Sequence, residues 1–220
     1  RLSVYSADSG LRLLEAAPTR SSLHPYIHLF RVNSFSAVPV IFEALVTLCA
    51  KFSSSVMFSV SGAAPLSEVV RNKYQELFEH TLIPCYGMSE AVCFITISPV
   101  TEIKPNPTGI PVGVNVQIVD DNHRPQAPGV RGEIAISGDS VIRHYHNAEA
   151  FQKDSFTDRG ELLTGDIGYL DNDGYLFITG RKKNMVIRGG EKVYLEDIER
   201  CLFNEKLIED SSSMCITNDR

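Results

Sequence analysis

The chain lacks several features that would settle its class at once. No cysteines stand at CxxC spacing, and no Cys/His cluster has the spacing of a zinc site. No apolar run approaches the roughly 20 residues needed to cross a bilayer. Neither G-x-G-x-x-G nor G-x-x-x-x-G-K-[ST] occurs, so the Rossmann and P-loop routes to a nucleotide are both unsupported. Positive charge is not in excess. Lys and Arg number 21 against 27 Asp and Glu, a formal charge of −6, so nucleic acid is not expected as the main partner. Residue 1 is Arg rather than Met, and no charged-then-apolar leader follows, which makes a piece of a longer chain the expectation.

What is present suits a globular protein. At 220 residues, 43% hydrophobic and 22% charged, the chain exceeds one average domain and can bury a sizeable core. The five cysteines (Cys49, Cys85, Cys93, Cys201, Cys215) are odd in number, widely spaced and mostly within apolar runs. They are expected to be buried free thiols in a reducing, intracellular setting, cytoplasm or peroxisome.

Residues 1–34 show no clean period, and Pro18 and Pro25 interrupt them. Residues 39–51 open on a proline suited to a first helical turn and place Ile41, Leu45 and Leu48 at helical spacing, which predicts a buried helix. A short apolar run over 56–60 reads as a buried strand entering the tight loop 61–65. A helix is expected over 66–80, with Val69, Val70, Tyr74, Leu77 and Phe78 on one face and Arg71, Lys73 and Glu76 on the other. That βα unit predicts a parallel sheet with a ligand loop at the strand's carboxyl end. Residues 82–86 form a second expected strand, and 99–111 read as irregular. Beyond them the period changes to two: Val114, Val116 and Ile118, then Ile134 and Ile136 after a Pro-Gly turn. A hairpin is expected around Asn172, Asp173 and Gly174, a strand over 185–187, and a helix over 195–204 with Leu195, Ile198 and Leu202 on one face.

Several short motifs carry possible chemistry. Gly87-Met88-Ser89-Glu90-Ala91 superficially matches the hydrolase G-x-S-x-G elbow, but its fifth position is alanine and a β-branched run follows. Glu90 can instead supply a hard oxygen to Mg²⁺, with the Ser89 hydroxyl beside it for a phosphate; a solvated turn is the plain alternative. The small-residue loop Gly62, Ala63, Ala64 and Pro65 would let a planar ligand lie against backbone, though most such loops are merely turns. Asp166, after a Thr-Gly step, can accept two vicinal hydroxyls such as a ribose offers. The basic run Arg181, Lys182, Lys183, Arg188 and Lys192 can meet phosphates or be a solvated face. His144 and His146 share strand spacing without a third ligand nearby.

The order of these pieces is more specific than any one of them. SGAAPL (61–66), YGMSE (86–90), GIPVG (109–113) and TGDIGYLDNDGYLFITGRKKNMVIRGGEKVYLEDIE (164–199) together resemble the adenylate-forming, AMP-binding superfamily, acyl-CoA synthetases above all. The resemblance covers residues 34–203. It implies an α/β fold: an incomplete adenylate-forming ligase with a parallel-sheet αβ subdomain over 1–112, a β-rich subdomain over 113–180, and the hinge and start of a truncated α+β domain over 181–220. It also implies an AMP-forming carboxylate–CoA ligase, using ATP, Mg²⁺ and coenzyme A as the thiol co-substrate, or a carrier-protein thiol in its place.

By the same resemblance, Gly62, Ala63, Ala64 and Pro65 line the adenine, Tyr86 stacks on it, and Gly87 and Met88 belong to the same loop. Ser89 meets phosphate and Glu90 holds the metal; Asp166 holds the ribose hydroxyls; Arg181 reaches the nucleotide; Ile178 lies near the adenine. Lys183 stands at the family's hinge, and the Arg188-Gly189-Gly190 loop is similar to the segment that enters for thioester formation. Departures are His144 in place of a glycine, and Asn184, Lys192 and Leu195 in place of an acidic residue, an asparagine and a proline. The phosphate loop with its lysine is expected before residue 1, and a catalytic lysine after residue 220, so these 220 residues alone are expected to be inactive or nearly so. An adenylation domain of a peptide synthetase is the runner-up reading. A non-catalytic nucleotide-binding remnant is the alternative from a different class.

Overall fold

The computed structural model describes residues 3–6, 12–15, 29–48, 56–101, 104–105, 108–146, 154–203 and 211–216. They fall into two compact units, residues 1–112 and 113–220.

The first unit is built on a seven-stranded sheet in the order β1 (Ser3–Ser6), β2 (Arg12–Glu15), β3 (Ser34–Ala37), β4 (Phe58–Ser61), β5 (Thr81–Tyr86), β6 (Thr96–Ile97), β7 (Ile110–Pro111). Strands β2 to β5 run parallel, and β1, β6 and β7 pair antiparallel at the two sides. Helices α1 (Pro39–Leu48) and α2 (Glu68–Phe78) connect the central strands. Parallel neighbours need such crossovers, because no hairpin can join strands that point the same way. The core beneath them is Val32, Phe35, Phe42, Leu45, Val56, Tyr74 and Leu82, with Phe35 and Phe42 stacked at 5.5 Å and Tyr74 edge-on to Phe42 at 5.2 Å. Each such side chain contributes roughly 1.5–3 kcal/mol by leaving water.

One polar chain runs through this core. The ring of His80 bonds through Nδ1 to the Phe78 carbonyl (3.0 Å), which fixes that nitrogen as the donor and leaves Nε2 to accept from the Tyr74 hydroxyl at 2.7 Å. The Tyr74 oxygen can then accept from Ser59, whose Oγ lies at 3.0 Å. All three residues are buried. Burial holds the His80 pKa below its ordinary 6.5 and pushes that of Tyr74 up.

The second unit is an antiparallel sheet in the order β11 (Leu176–Arg181), β10 (Leu162–Leu170), β9 (Gly132–Ser137), β8 (Asn115–Val119), with a two-stranded hairpin β12 (Met185–Arg188) and β13 (Glu191–Tyr194) and helix α3 (Leu195–Phe203). The turn joining β10 to β11 is made by Asp171. Its Oδ1 accepts from the backbone of Asp173 and Tyr175, both at 2.9 Å, and Gly174 takes the left-handed φ of +81° that the turn requires.

Several expectations are corrected. Val69 is 59% exposed, so the buried face of α2 is narrower than its apolar residues suggest and centres on Tyr74. That helix also stops at Phe78: Glu79 takes a left-handed conformation (φ 58°) and its N–H returns to the Gln75 carbonyl, an end written without glycine. Among the described cysteines three are exposed and one is partly buried. Cys93, Cys201 and Cys215 are exposed and Cys85 is intermediate, because they fall in loops and on open faces; Cys49 lies outside the described residues, as do residues 49–51 and 204 of the expected helices. Strands β1, β2, β3 and β13 carry no clear period in sequence, and the irregular stretch 99–111 ends in β7.

Candidate functional site

In the first unit the carboxyl ends of two parallel neighbours, β4 and β5, deliver the two loops singled out in sequence. Register pairs Ser61 with Pro84, so Gly62 follows β4 where Cys85 and Tyr86 finish β5. The loops fit closely. A Cβ at Gly62 would lie 2.6 Å from Cys85 Sγ, so any side chain there would have to push the thiol aside. Ala63, Ala64 and Pro65 are all exposed, and Ala63 has a φ of +68°. Backbone held in that region costs about 1–3 kcal/mol and clusters at sites that clamp ligands.

The second loop coils on itself. The Met88 carbonyl accepts from both Ala91 and Cys93, at 3.1 and 3.2 Å, and Ile95 N–H returns to Tyr86 at 2.8 Å. Gly87 lies directly under the Cys93 carbonyl with no room for a side chain. Ser89, Glu90 and Ala91 form a single 3-10 turn with Ser89 exposed and Glu90 half-buried; Val92 (φ 52°) and Cys93 (φ 91°) are both left-handed. A β-branched residue in that region is a true outlier. Ser89 makes no hydrogen bond to a histidine among the described residues, and no full helix follows it, so the hydrolase elbow is not formed.

In the second unit Asp166 sits beside a bulge in β10. Its pairing with β9 shifts between Leu163 and Ile167, and Gly165 takes a φ of +74°. Thr164 holds the bulge, donating to the Ile134 carbonyl and accepting from Asp166 N–H. The result is a carboxylate that is only 6% exposed, facing its cross-strand partner Arg181, whose Nε lies 2.9 Å from Oδ1. Ile178 is half-buried on the same strand as Arg181. Lys182 makes a second pair of this kind, at 2.6 Å from Glu133, a carboxylate buried in β9. Glu133 was not singled out in sequence; the one available signal is a charged residue inside the apolar run of β9.

The basic run is therefore not one patch. Arg181, Lys182 and Lys192 are each committed to a carboxylate (Asp166, Glu133 and Asp121), while Lys183 and Arg188 are exposed. His144 and His146 are exposed, and no group of three or more metal-ligating side chains occurs among the described residues. Ser61 Oγ, at the start of the Gly62 loop, is buried and makes no hydrogen bond among the described residues.

Residues 8–146 match the family model described as AMP-binding enzyme. The chain belongs to this family. Relatives include the oxalate–CoA ligase of Arabidopsis thaliana, 31% identical over 81% of this chain, and a 2-succinylbenzoate–CoA ligase of Bacillus licheniformis, 37% identical over 65%. A 2,3-dihydroxybenzoate–AMP ligase of Bacillus subtilis is 31% identical over 92%. Among solved structures, the unliganded O-succinylbenzoate coenzyme A synthetase of Bacillus subtilis superposes with a TM-score of 0.80 over 89% of this chain at 27% identity, and its complex with ATP and magnesium ion at 0.79 over 88% and 26%. The fold is that of an adenylate-forming ligase. The chain spans 36%, 30% and 39% of the three relatives and 43% and 41% of the two solved chains.

Proposed function

We propose that the protein to which these residues belong is an AMP-forming carboxylic acid–thiol ligase. It would activate a carboxylate with ATP to an acyl-adenylate and pass the acyl group to a thiol, coenzyme A in the first instance. The observation that carries the reading is the buried Asp166 carboxylate on its bulge, paired with Arg181, within the TGD…GRKK order of a family member.

Each residue has a physical part. Asp166 accepts the two vicinal ribose hydroxyls, and Arg181 both orients it and reaches the nucleotide. Tyr86 offers a ring face to the adenine beside the backbone of Gly62 to Pro65, with Gly87 and Met88 shaping the loop, Ile178 adding apolar contact, and the orphan Ser61 hydroxyl at the strand end. Ser89, exposed on its 3-10 turn, donates to a phosphate. Glu90 is the residue that would hold Mg²⁺; the ion takes only one or two carboxylates and completes its shell with phosphates and water, so a lone glutamate fits it. Bound there, the metal would neutralise charge developing on the phosphates. Little covalent chemistry falls to the protein, which positions the acid's oxygen against the α-phosphorus and excludes water. Lys183 is the pivot at which residues after β11 turn between the two half-reactions. Arg181 and Lys182 are anchored to carboxylates on β10 and β9, whereas Lys183 makes no ion pair among the described residues, which suits the first movable position.

Trapping the activated acyl group with hydroxylamine tests this reading. With ATP, Mg²⁺ and a panel of carboxylic acids, the complete protein should form a hydroxamate from at least one acid, with AMP produced in step. Hydroxamate formation without ATP, or none from any acid, would rule the reading out. A panel of thiols then separates coenzyme A from a phosphopantetheinyl carrier protein, which would instead favour the peptide-synthetase reading.

A further inference from the structure

We infer that Asn184 and Glu196 form a brace across the pivot and position the segment that follows it. The inference rests on Lys183 being that pivot. Glu196 lies in the first turn of α3, and its Oε1 accepts from Arg181 N–H on one side of Lys183 (3.2 Å) and from Asn184 Nδ2 on the other (2.7 Å). Its Oε2 is buried and makes no hydrogen bond among the described residues. That oxygen packs where residue 180 has no side chain: a Cβ there would stand 2.7 Å from it. One carboxylate thus touches residues 180, 181 and 184. Lys183 cannot turn far without separating these contacts.

The surrounding charges act in the same direction. Arg131 holds Asp197 through two bonds (2.6 and 3.2 Å) while its guanidinium lies over the Tyr194 ring, and Lys192 reaches both oxygens of Asp121 at 2.7 Å. Both are half-exposed pairs, weaker one by one than the brace. The side chains fit as a set. An acidic residue at 184, which the resembled motif carries, would set two carboxylates against each other, whereas asparagine offers the donor that Glu196 needs. Lys192, the second departure from that motif, supplies the tie to Asp121. Two of the departures, Asn184 and Lys192, are therefore contacts, and with the Arg131–Asp197 pair they tie residues 184–197 to Arg181 and to the chain next to β8 and β9.

Trypsin, which cuts after Arg181, Lys182 and Lys183, reads the brace in the chain as it stands. Asn184→Asp should be cut within 181–183 about tenfold faster than the unaltered chain, since hydrogen bonds to charged groups govern such local opening. Asn184→Ala should fall between the two. In Asn184→Asp combined with Glu196→Gln, glutamine at position 196 keeps one oxygen to accept from Arg181 N–H and removes the like-charge repulsion against the new carboxylate at position 184, without restoring the lost donor. That variant should return from the fast rate of Asn184→Asp to about that of Asn184→Ala, a partial rescue that a merely bulky packing role would not give. Cutting elsewhere and the thermal midpoint serve as controls for global unfolding; if Asn184→Asp unfolds outright, Asn184→Ala decides. Unchanged cutting in Asn184→Ala and Asn184→Asp, or no rescue in the double variant, overturns the brace. Adding ATP with Mg²⁺ to the complete protein addresses the pivot separately. A rate within 181–183 that ignores the nucleotide counts against the pivot even where the variants behave as stated.

Discussion

At the scale of single residues, three sites are defined sharply enough to predict. Asp166 is buried, and its ion-pair partner is the more exposed Arg181. Arg181→Ala leaves that charge without this partner, and we expect a loss of about 1–2 kcal/mol in urea unfolding, discounted because the arginine is half in water. Gly87 is closed in by the Cys93 backbone, so Gly87→Ala should cost about 1–3 kcal/mol and distort the Ser89–Glu90 turn. The Cys85 thiol is pushed up to about 12 by burial and by nearby Cys93, whereas Cys93, Cys201 and Cys215 are exposed. Iodoacetamide at pH 8 should therefore label the last three in the folded chain and spare Cys85 until denaturant is added, as peptide mass spectrometry would show. Labelling of Cys85 at the same rate as Cys93 would contradict the packing of β5 against Gly62.

At the scale of elements, the buried chain from Ser59 through Tyr74 to His80 ties β4 to α2 and to the turn that ends it. His80 has its folded pKa below the unfolded value of 6.5, so the unfolded chain takes up the proton first as pH falls. Stability from this group is whole above the unfolded value and declines as pH drops through it, with a slope approaching about 1.4 kcal/mol per unit. Urea midpoints between about pH 7.5 and about pH 5 should fall, and His80→Gln should flatten the dependence. Tyr74→Phe removes the hydroxyl from both partners and should cost about 1–3 kcal/mol at neutral pH.

The same elements show what sequence could reveal. Amphipathic spacing made α1 and α2 readable because one face of each packs against a core. Helix α3 has the same spacing, yet its Ile198 and Leu202 are exposed, and alternating apolar residues made β8 and β9 readable although β9 is buried on both faces. The loops at Gly62 and Glu90, the Asp166 carboxylate and the Lys183 junction were visible as ordered motifs. Pairings between distant residues were not. Nothing local marks Glu133 as the partner of Lys182, 49 positions later, or Glu196 as the acceptor that spans the pivot. The end of α2 at a left-handed Glu79 was hidden for a different reason: tertiary contacts through His80 impose it on a residue whose own preference gives no signal.

At the scale of the whole molecule, the family is established and the fold of an adenylate-forming ligase is present over the residues described. No helix among them is long and apolar enough to cross a membrane. The relatives act on acids as different as oxalate and 2-succinylbenzoate by name, so family membership leaves the acid to experiment. In the proposed reaction a carboxylate attacks ATP to give an adenylate, and Glu90 and Asp166 would hold the metal and the nucleotide. The most direct measurement is carboxylic-acid-dependent exchange of labelled pyrophosphate into ATP by the complete protein. Exchange should require both the acid and Mg²⁺, and should fall roughly 100-fold or more in Glu90→Gln and in Asp166→Asn, measured without denaturant where urea unfolding shows both variants still folded. Exchange that proceeds without an acid, or that survives both substitutions undiminished, would contradict the account.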